Sequence, residues 1–166
     1  MQDYVTELVS IVDEQGSWLA GIPDARAARR PLEGGWSAKE VIGHLIDSAV
    51  NNHVRFMRAQ ATDDLAFPGY DQEAWVSAQG YADADWLALL GLWRLYNLHL
   101  VRVMAAVPET VRMRPRTDHT LDRIGWRPVA RSETVTLDDL MADYVGHLKH
   151  HLRQIGALLG ELIAAA

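Results

Sequence analysis

TLDDLMADYVGHLKHHLRQIGALLGELI, residues 136–163, is the stretch on which the fold turns. Leu140, Tyr144, Leu148, Ile155, Leu158, Leu159 and Leu162 recur at three- and four-residue steps, the period of an α-helix with one buried face. Thr136 stands at the N-cap, and Asp138 and Asp139 put negative charge in the first turn, where free N–H groups and the helix dipole favour it. A helix is expected from Thr136 to about Ile163. At 100° per residue the centre of its apolar arc lies about 70 to 80° from His147, with His151 about 40° toward that centre and His150 about 60° the other way. His147 and His151 therefore share the inward face one turn apart, the spacing at which two imidazoles grip one ion.

A pair on one helix leaves an ion incompletely held, so a third ligand must come from elsewhere. In WSAKEVIGHLIDSAVNNHVRFMRAQA, residues 36–61, Ser37 with Glu40 three residues later forms a capping box, and Trp36 occupies the staple position before it. A second long helix is expected from Ala38 to about Ala61. Its apolar arc runs through Val41, Ile42, Leu45, Ala49 and Phe56, and His44 sits at the edge of that arc, in line with Ser37, Ser48, Asn51 and Arg55. His44 is the candidate third ligand. A lone histidine at such an edge is more often a hydrogen-bonded boundary residue, and from the residues alone that alternative stays open for His44, as it does for the His147–His151 pair. His53, His99, His119 and His150 read as surface or packing residues, with His119 in a loop able to enter a cleft.

Outward from these segments, Tyr4, Val5, Leu8, Ile11, Val12 and Trp18 give a first helix over Asp3 to about Ala20, stopped by Gly21 and Pro23. Asp71 can cap a short helix through Ala78, and Trp86 to Met104 carry the apolar side of a third long helix from about Asp83 to Val107, which Pro108 ends. Residues 109–136 hold Pro115, Gly125, Pro128 and several arginines without periodicity, so an irregular excursion with a short strand pair is expected. Four long helices make an all-α fold: a four-helix bundle, up-down with long crossings over one end, where a ligand cleft can form. The 166 residues fit one domain with one core.

Composition removes several function classes. Sixteen Lys and Arg against 22 Asp and Glu give a net charge of -6 with the basic residues scattered, which argues against nucleic acid. With no cysteine, thiolate nucleophiles, disulfides and iron–sulfur clusters are excluded, and any metal rests on His, Asp or Glu. The acidic N-terminus lacks a signal-peptide pattern and no stretch approaches the roughly 20 apolar residues of a membrane span, so a cytoplasmic protein without a membrane partner is expected.

The segments WSAKEVIGHLIDS (36–48) and YVGHLKHHLRQI (144–155) together resemble the DinB-like superfamily, and more closely its YfiT-like metal-dependent hydrolases and thiol S-transferases. PGYDQEAW (68–75) is similar to the Pro-x-Tyr-Asp-x-x-x-Trp element that follows the second helix in these proteins, whereas TDHTLDRIGWRPVARSE (117–133) is longer and differently composed than the family's stretch there. The resemblance implies that His44, His147 and His151 hold one divalent transition metal, zinc or nickel.

Three imidazoles leave coordination positions open, as in catalytic rather than structural sites. Two reactions use the same ligands: hydrolysis of a small molecule, or transfer of a low-molecular-weight thiol brought as co-substrate. Hydrolysis asks for a general base, for which Asp71, Glu40 and Asp47 are candidates, each with a competing role as cap or hydrogen-bond partner. Asn51, Asn52 and Arg55 are candidates for binding a polar or anionic substrate group. A third reading is non-catalytic: a metal-binding module that forms a homodimer through Trp75, Trp86 and Trp93.

Overall fold

Capping decides where the helices start. The computed structural model describes residues 2–160. In α3, Ala38–Ala59, the Ser37 side chain accepts from Glu40 N–H while the Glu40 carboxylate takes the Ser37 N–H, the box expected from the sequence. In α8, Leu137–Leu158, Thr136 and Asp139 do the same. Two further long helices complete the frame, α1 at Asp3–Ala20 and α5 at Trp86–Ala106. The last of these starts three residues later than its periodicity suggests, because Asp85 accepts from Ala88 N–H and fixes the cap there, leaving Tyr81–Asp83 as a separate 3-10 turn. Short helices fill the connections: α2 at Asp24–Ala27, α4 at Gln72–Gln79 capped by Asp71, α6 at Glu109–Arg112 and α7 at Leu121–Ile124. Helix α8 closes at Leu158 with Gly160 left-handed at φ 67°, and residues 161–163, to which its apolar pattern extends, lie outside the described residues.

The bundle is all-helical, and among the described residues the strand pair expected in 109–136 is reduced to two isolated bridges, Leu65 with His119 and Arg116 with Val135. Its sense follows from contacts. Trp86 donates its indole N–H to Leu19 O at 3.0 Å and Arg94 pairs with Asp13, so α1 and α5 are antiparallel. Lys39 reaches Ala84 O while His53 meets Tyr96, so α3 and α5 are parallel. Tyr4 bonds Asp138 and Arg26 bonds Leu159 O, which sets α1 parallel to α8. The long crossings are therefore where the geometry is unusual: residues 60–85 carry the chain back along α3, and 107–136 carry it across to α8 on the far side of α3. Each long helix packs on two others, α3 and α1 both against α5 and α8, around a continuous core that includes Leu45, Phe56, Trp86, Trp93, Leu100, Tyr144 and Leu148.

One close approach locks the returning crossing to α3. A Cβ on Gly43 would lie 2.1 Å from Tyr81 Cδ2, so the ring sits directly on the helix backbone. The Tyr81 hydroxyl and the Gln79 amide both donate to Asp47 Oδ1, at 2.8 and 2.6 Å. Only glycine at 43 leaves room for this contact. No helix among the described residues is long and apolar enough to cross a membrane.

Candidate metal centre

The crossing angle of α3 and α8 brings His44, His147 and His151 together. One ring nitrogen from each lies within 4.8 Å of the others, and His44 Nε2 stands 3.2 Å from His147 Nε2. Two imidazoles on one tetrahedral ion at about 2.0–2.1 Å place their nitrogens about 3.3 Å apart, so the spacing fits a shared ion. The outer nitrogens are partly braced. Ser48 Oγ lies 3.4 Å from His147 Nδ1, and Gln154 Oε1 lies 2.8 Å from His151 Nδ1, where it accepts and leaves Nε2 free to face the cluster. His44 Nδ1 is buried without a protein partner, and its ring is held by the Trp36 indole at a centroid distance of 5.0 Å.

Protonation is settled by burial. Desolvation, and next the nearby His151, push His44 down to about 4; burial and the three neighbouring imidazoles push His147 lower still. Burial also lowers His151, against the hydrogen bond it donates to Gln154, which raises it. At neutral pH the cluster is uncharged, the form in which imidazole donates a lone pair to a metal.

The three histidines form the floor of a cleft of about 620 Å³, within the range of small-molecule sites. Both long crossings wall it: Gly69 to Glu73 on one side, Arg123 to Trp126 on the other. The second wall is built from α8 itself. Asp143 accepts the backbone N–H of Trp126 and Arg127 at 2.8 and 2.9 Å, and Gly146 leaves space for the indole, since a Cβ there would lie 2.9 Å from Trp126 Cζ3. His150 stands exposed at the mouth, its ring 5.7 Å from that of Trp126.

The other candidates from the sequence fare differently. Glu40 is not at the cleft: its carboxylate is spent on the Ser37 cap and an ion pair with Arg30. Asp71 lines the cleft while capping α4 through Oδ1, which leaves its other oxygen outside the cap. Asp47 is buried, faces Tyr81 and Gln79, and is held above the usual carboxylate range by desolvation against those two bonds. Asn51 folds its amide back on Asp47 O and does not line the cleft, whereas Asn52, one step round the helix, does. Arg55 lines it and is 7 % exposed. His119 is buried, accepting Leu121 N–H at Nδ1 and donating from Nε2 to Glu133 O, and so ties the loop together outside the cleft.

Two wall residues escaped the sequence reading, Trp126 and Tyr70. Tyr70 is held up to about 12, chiefly by burial, and packs against Trp75 with ring centroids 4.8 Å apart and planes tilted by 50°. The usable signal for Trp126 was Gly146: a glycine inside a helix costs about 1 kcal/mol relative to alanine and marks a close approach.

Comparison with known proteins places this architecture. The sequence profile of the DinB superfamily matches residues 13–155, and the chain belongs to that superfamily. It is 31% identical over 126 residues to the Bacillus subtilis protein named "Putative metal-dependent hydrolase YfiT", covering 76% of this chain and 65% of that relative, a little under two thirds of its length. A Bacillus licheniformis relative named in the same way is 30% identical over 125 residues, with 75% and 65% covered. The solved structure of Bacillus subtilis YfiT, described as an unusual four-helix bundle topology, superposes with a TM-score of 0.76 at 21% identity over 96% of this chain and 87% of that one. A mycothiol-dependent maleylpyruvate isomerase shares the fold at TM-score 0.61 and 14% identity, over 99% of this chain and 61% of that one.

Proposed function

We propose that His44, His147 and His151 bind one divalent transition metal, zinc or nickel, and that the chain is a metal-dependent enzyme acting on a small molecule. The observation that carries this reading is the 3.2 Å approach of two neutral imidazole nitrogens, one on a buried ring and one on a half-buried ring, with a third beside them, opening on a cleft rather than closed by a fourth ligand among the described residues. Relatives named for metal-dependent hydrolysis support it. When bound, the ion supplies Lewis-acid activation of water or of a thiol. The chain's own residues do the rest: Ser48 and Gln154 hold two of the imidazoles in orientation, Trp126 and Tyr70 restrict water at the walls, and of the candidate bases from the sequence Asp71 is the one that lines the cleft.

A second reading of the same site is transfer of a low-molecular-weight thiol, which needs neither a protein cysteine nor a strong protein base. The fold it shares with a mycothiol-dependent enzyme favours keeping it. The non-catalytic dimer module loses its argument, because Trp86 and Trp93 are 1% and 0% exposed inside the core; of its three tryptophans Trp75 alone is exposed.

Elemental analysis of protein purified without a histidine tag tests the site, with about one metal per chain expected in the wild type and loss in His44→Ala and His147→Ala. Equal metal in all three refutes it. The metal-loaded protein is then offered amides, esters and lactones, and separately a thiol with a chlorinated electrophile. Turnover that His147→Ala abolishes identifies the reaction.

A further inference from the structure

Among the described residues three cations are buried, Lys39, Arg55 and Arg116, and of these Arg55 lines the cleft. Lys39 pairs with Asp24; Arg116 binds the Ala59 and Arg114 carbonyls away from the cleft, with Asp63 and Asp64 near enough to favour its charge. Arg55 is 7 % exposed, and among the described residues no carboxylate lies within 4 Å of it. Its protein acceptors are both neutral, Pro68 O at 3.2 Å and Asn52 Oδ1 at 3.4 Å. A guanidinium has five donors and keeps its charge, so donors remain, and none of its nitrogens is a sealed atom without a partner; they open on the cleft. An uncompensated buried charge costs several kcal/mol, which neutral acceptors only partly offset.

None of the acids that line the same cleft pairs with Arg55. Glu73 takes the Trp36 indole N–H, Asp143 takes two backbone N–H groups, and Asp71 caps α4 through one oxygen. Along α3, His44, Ser48, Asn52 and Arg55 form a ladder down one side of the cleft. Ser48 is level with His147, and Arg55 lies seven residues on, about 10 Å of helix, with its side chain leaning back toward the histidines.

We propose that Arg55 is the recognition point for a carboxylate on the ligand, so that the substrate or thiol co-substrate of this enzyme carries an anionic group at the end remote from its reacting atom. The inference rests on the metal-site reading for which end reacts, but the Arg55 contact itself does not need the ion. Guanidinium binds carboxylate through two parallel hydrogen bonds in a fixed fork, which gives the ligand direction as well as affinity. Whether the carboxylate belongs to the electrophile or to the thiol is decided by which of the two, offered as its amide, loses Arg55-dependent binding.

The test titrates the dicarboxylates from succinate to suberate, each against its own diamide, into the protein with and without zinc, followed by calorimetry. In metal-free protein one length is expected to bind about tenfold or more tighter than its diamide, because only the diacid offers Arg55 a charge-assisted hydrogen-bonding group. This preference is expected to vanish in metal-free Arg55→Gln, to persist in part in Arg55→Lys, which keeps the charge without the fork, and to grow when zinc is added, with the metal content of Arg55→Gln unchanged. Equal affinity for diacid and diamide in the metal-free wild type, or no binding of any diacid at millimolar concentration, overturns the proposal without any variant. So does a preference undiminished in a folded Arg55→Gln. A preference that depends on Arg55 in a protein found to hold no metal leaves this inference standing and the metal reading refuted.

Discussion

Replacing Gly43 by alanine measures how tightly the returning crossing is locked to α3. The added Cβ would stand 2.1 Å from Tyr81 Cδ2 and 2.2 Å from Cγ, a ring 6% exposed and hemmed by the core, so either ring or helix must move. Overpacking of this kind costs about 1–3 kcal/mol. Moving the ring also withdraws the Tyr81 hydroxyl from Asp47, whose other oxygen has no partner, and a hydrogen bond to a charged group contributes about 1.5–3 kcal/mol. Against this, alanine in a helix interior gains about 1 kcal/mol over glycine. The expected net loss is about 2–5 kcal/mol, a large share of a domain's stability of about 5–15 kcal/mol. Gly91 is the matched control: it too lies inside a long helix, but a Cβ there meets nothing within 4 Å. Gly91→Ala is expected to gain up to about 1 kcal/mol. Urea denaturation of both variants, with midpoint and slope fitted together, reads the difference. If the two substitutions shift stability in the same direction, or Gly43→Ala stays within about 0.5 kcal/mol of wild type, the packing account of this crossing is wrong.

The metal-free protein is expected to lose stability as pH falls. His44 is depressed from 6.5 to about 4, so its contribution is complete above pH 6.5 and is lost as pH drops toward 4, by up to about 3 kcal/mol, and His147 and His151 act in the same sense. Denaturation at stepped pH with metal removed checks this, and His44→Asn must flatten the slope. His119→Gln is expected to cost about 1–3 kcal/mol through its two lost hydrogen bonds while metal content stays at the wild-type value, and a fall in bound metal would show that His119 belongs to the site after all. Asp143→Ala frees the Trp126 and Arg127 N–H groups, so fluorescence of Trp126 should become more quenchable and KM should rise more than kcat falls. An unchanged KM with a collapsed kcat would place Asp143 in the chemistry instead.

Periodicity and capping determined the local structure. Four long helices, the Ser37–Glu40 box, the Asp71 cap and the inward phase of His147 and His151 depend on residues a few positions apart, which the backbone geometry of one helix fixes by itself. Motif resemblance added His44 as partner to that pair, and the tertiary structure brings all three rings together. What only the tertiary structure decided concerns contacts between segments far apart in the chain. The parallel run of α3 and α5 follows from the return path over residues 60–85, whose lock is one glycine under one tyrosine ring. The burial of Trp86 and Trp93, the exclusion of Glu40 and Asn51 from the cleft, the Trp126 wall and the lack, among the described residues, of any carboxylate beside Arg55 are likewise matters of which surfaces meet. Local pattern specifies which face of a helix turns inward; it does not specify which other face it finds there, because that choice is made by packing and desolvation over the whole chain.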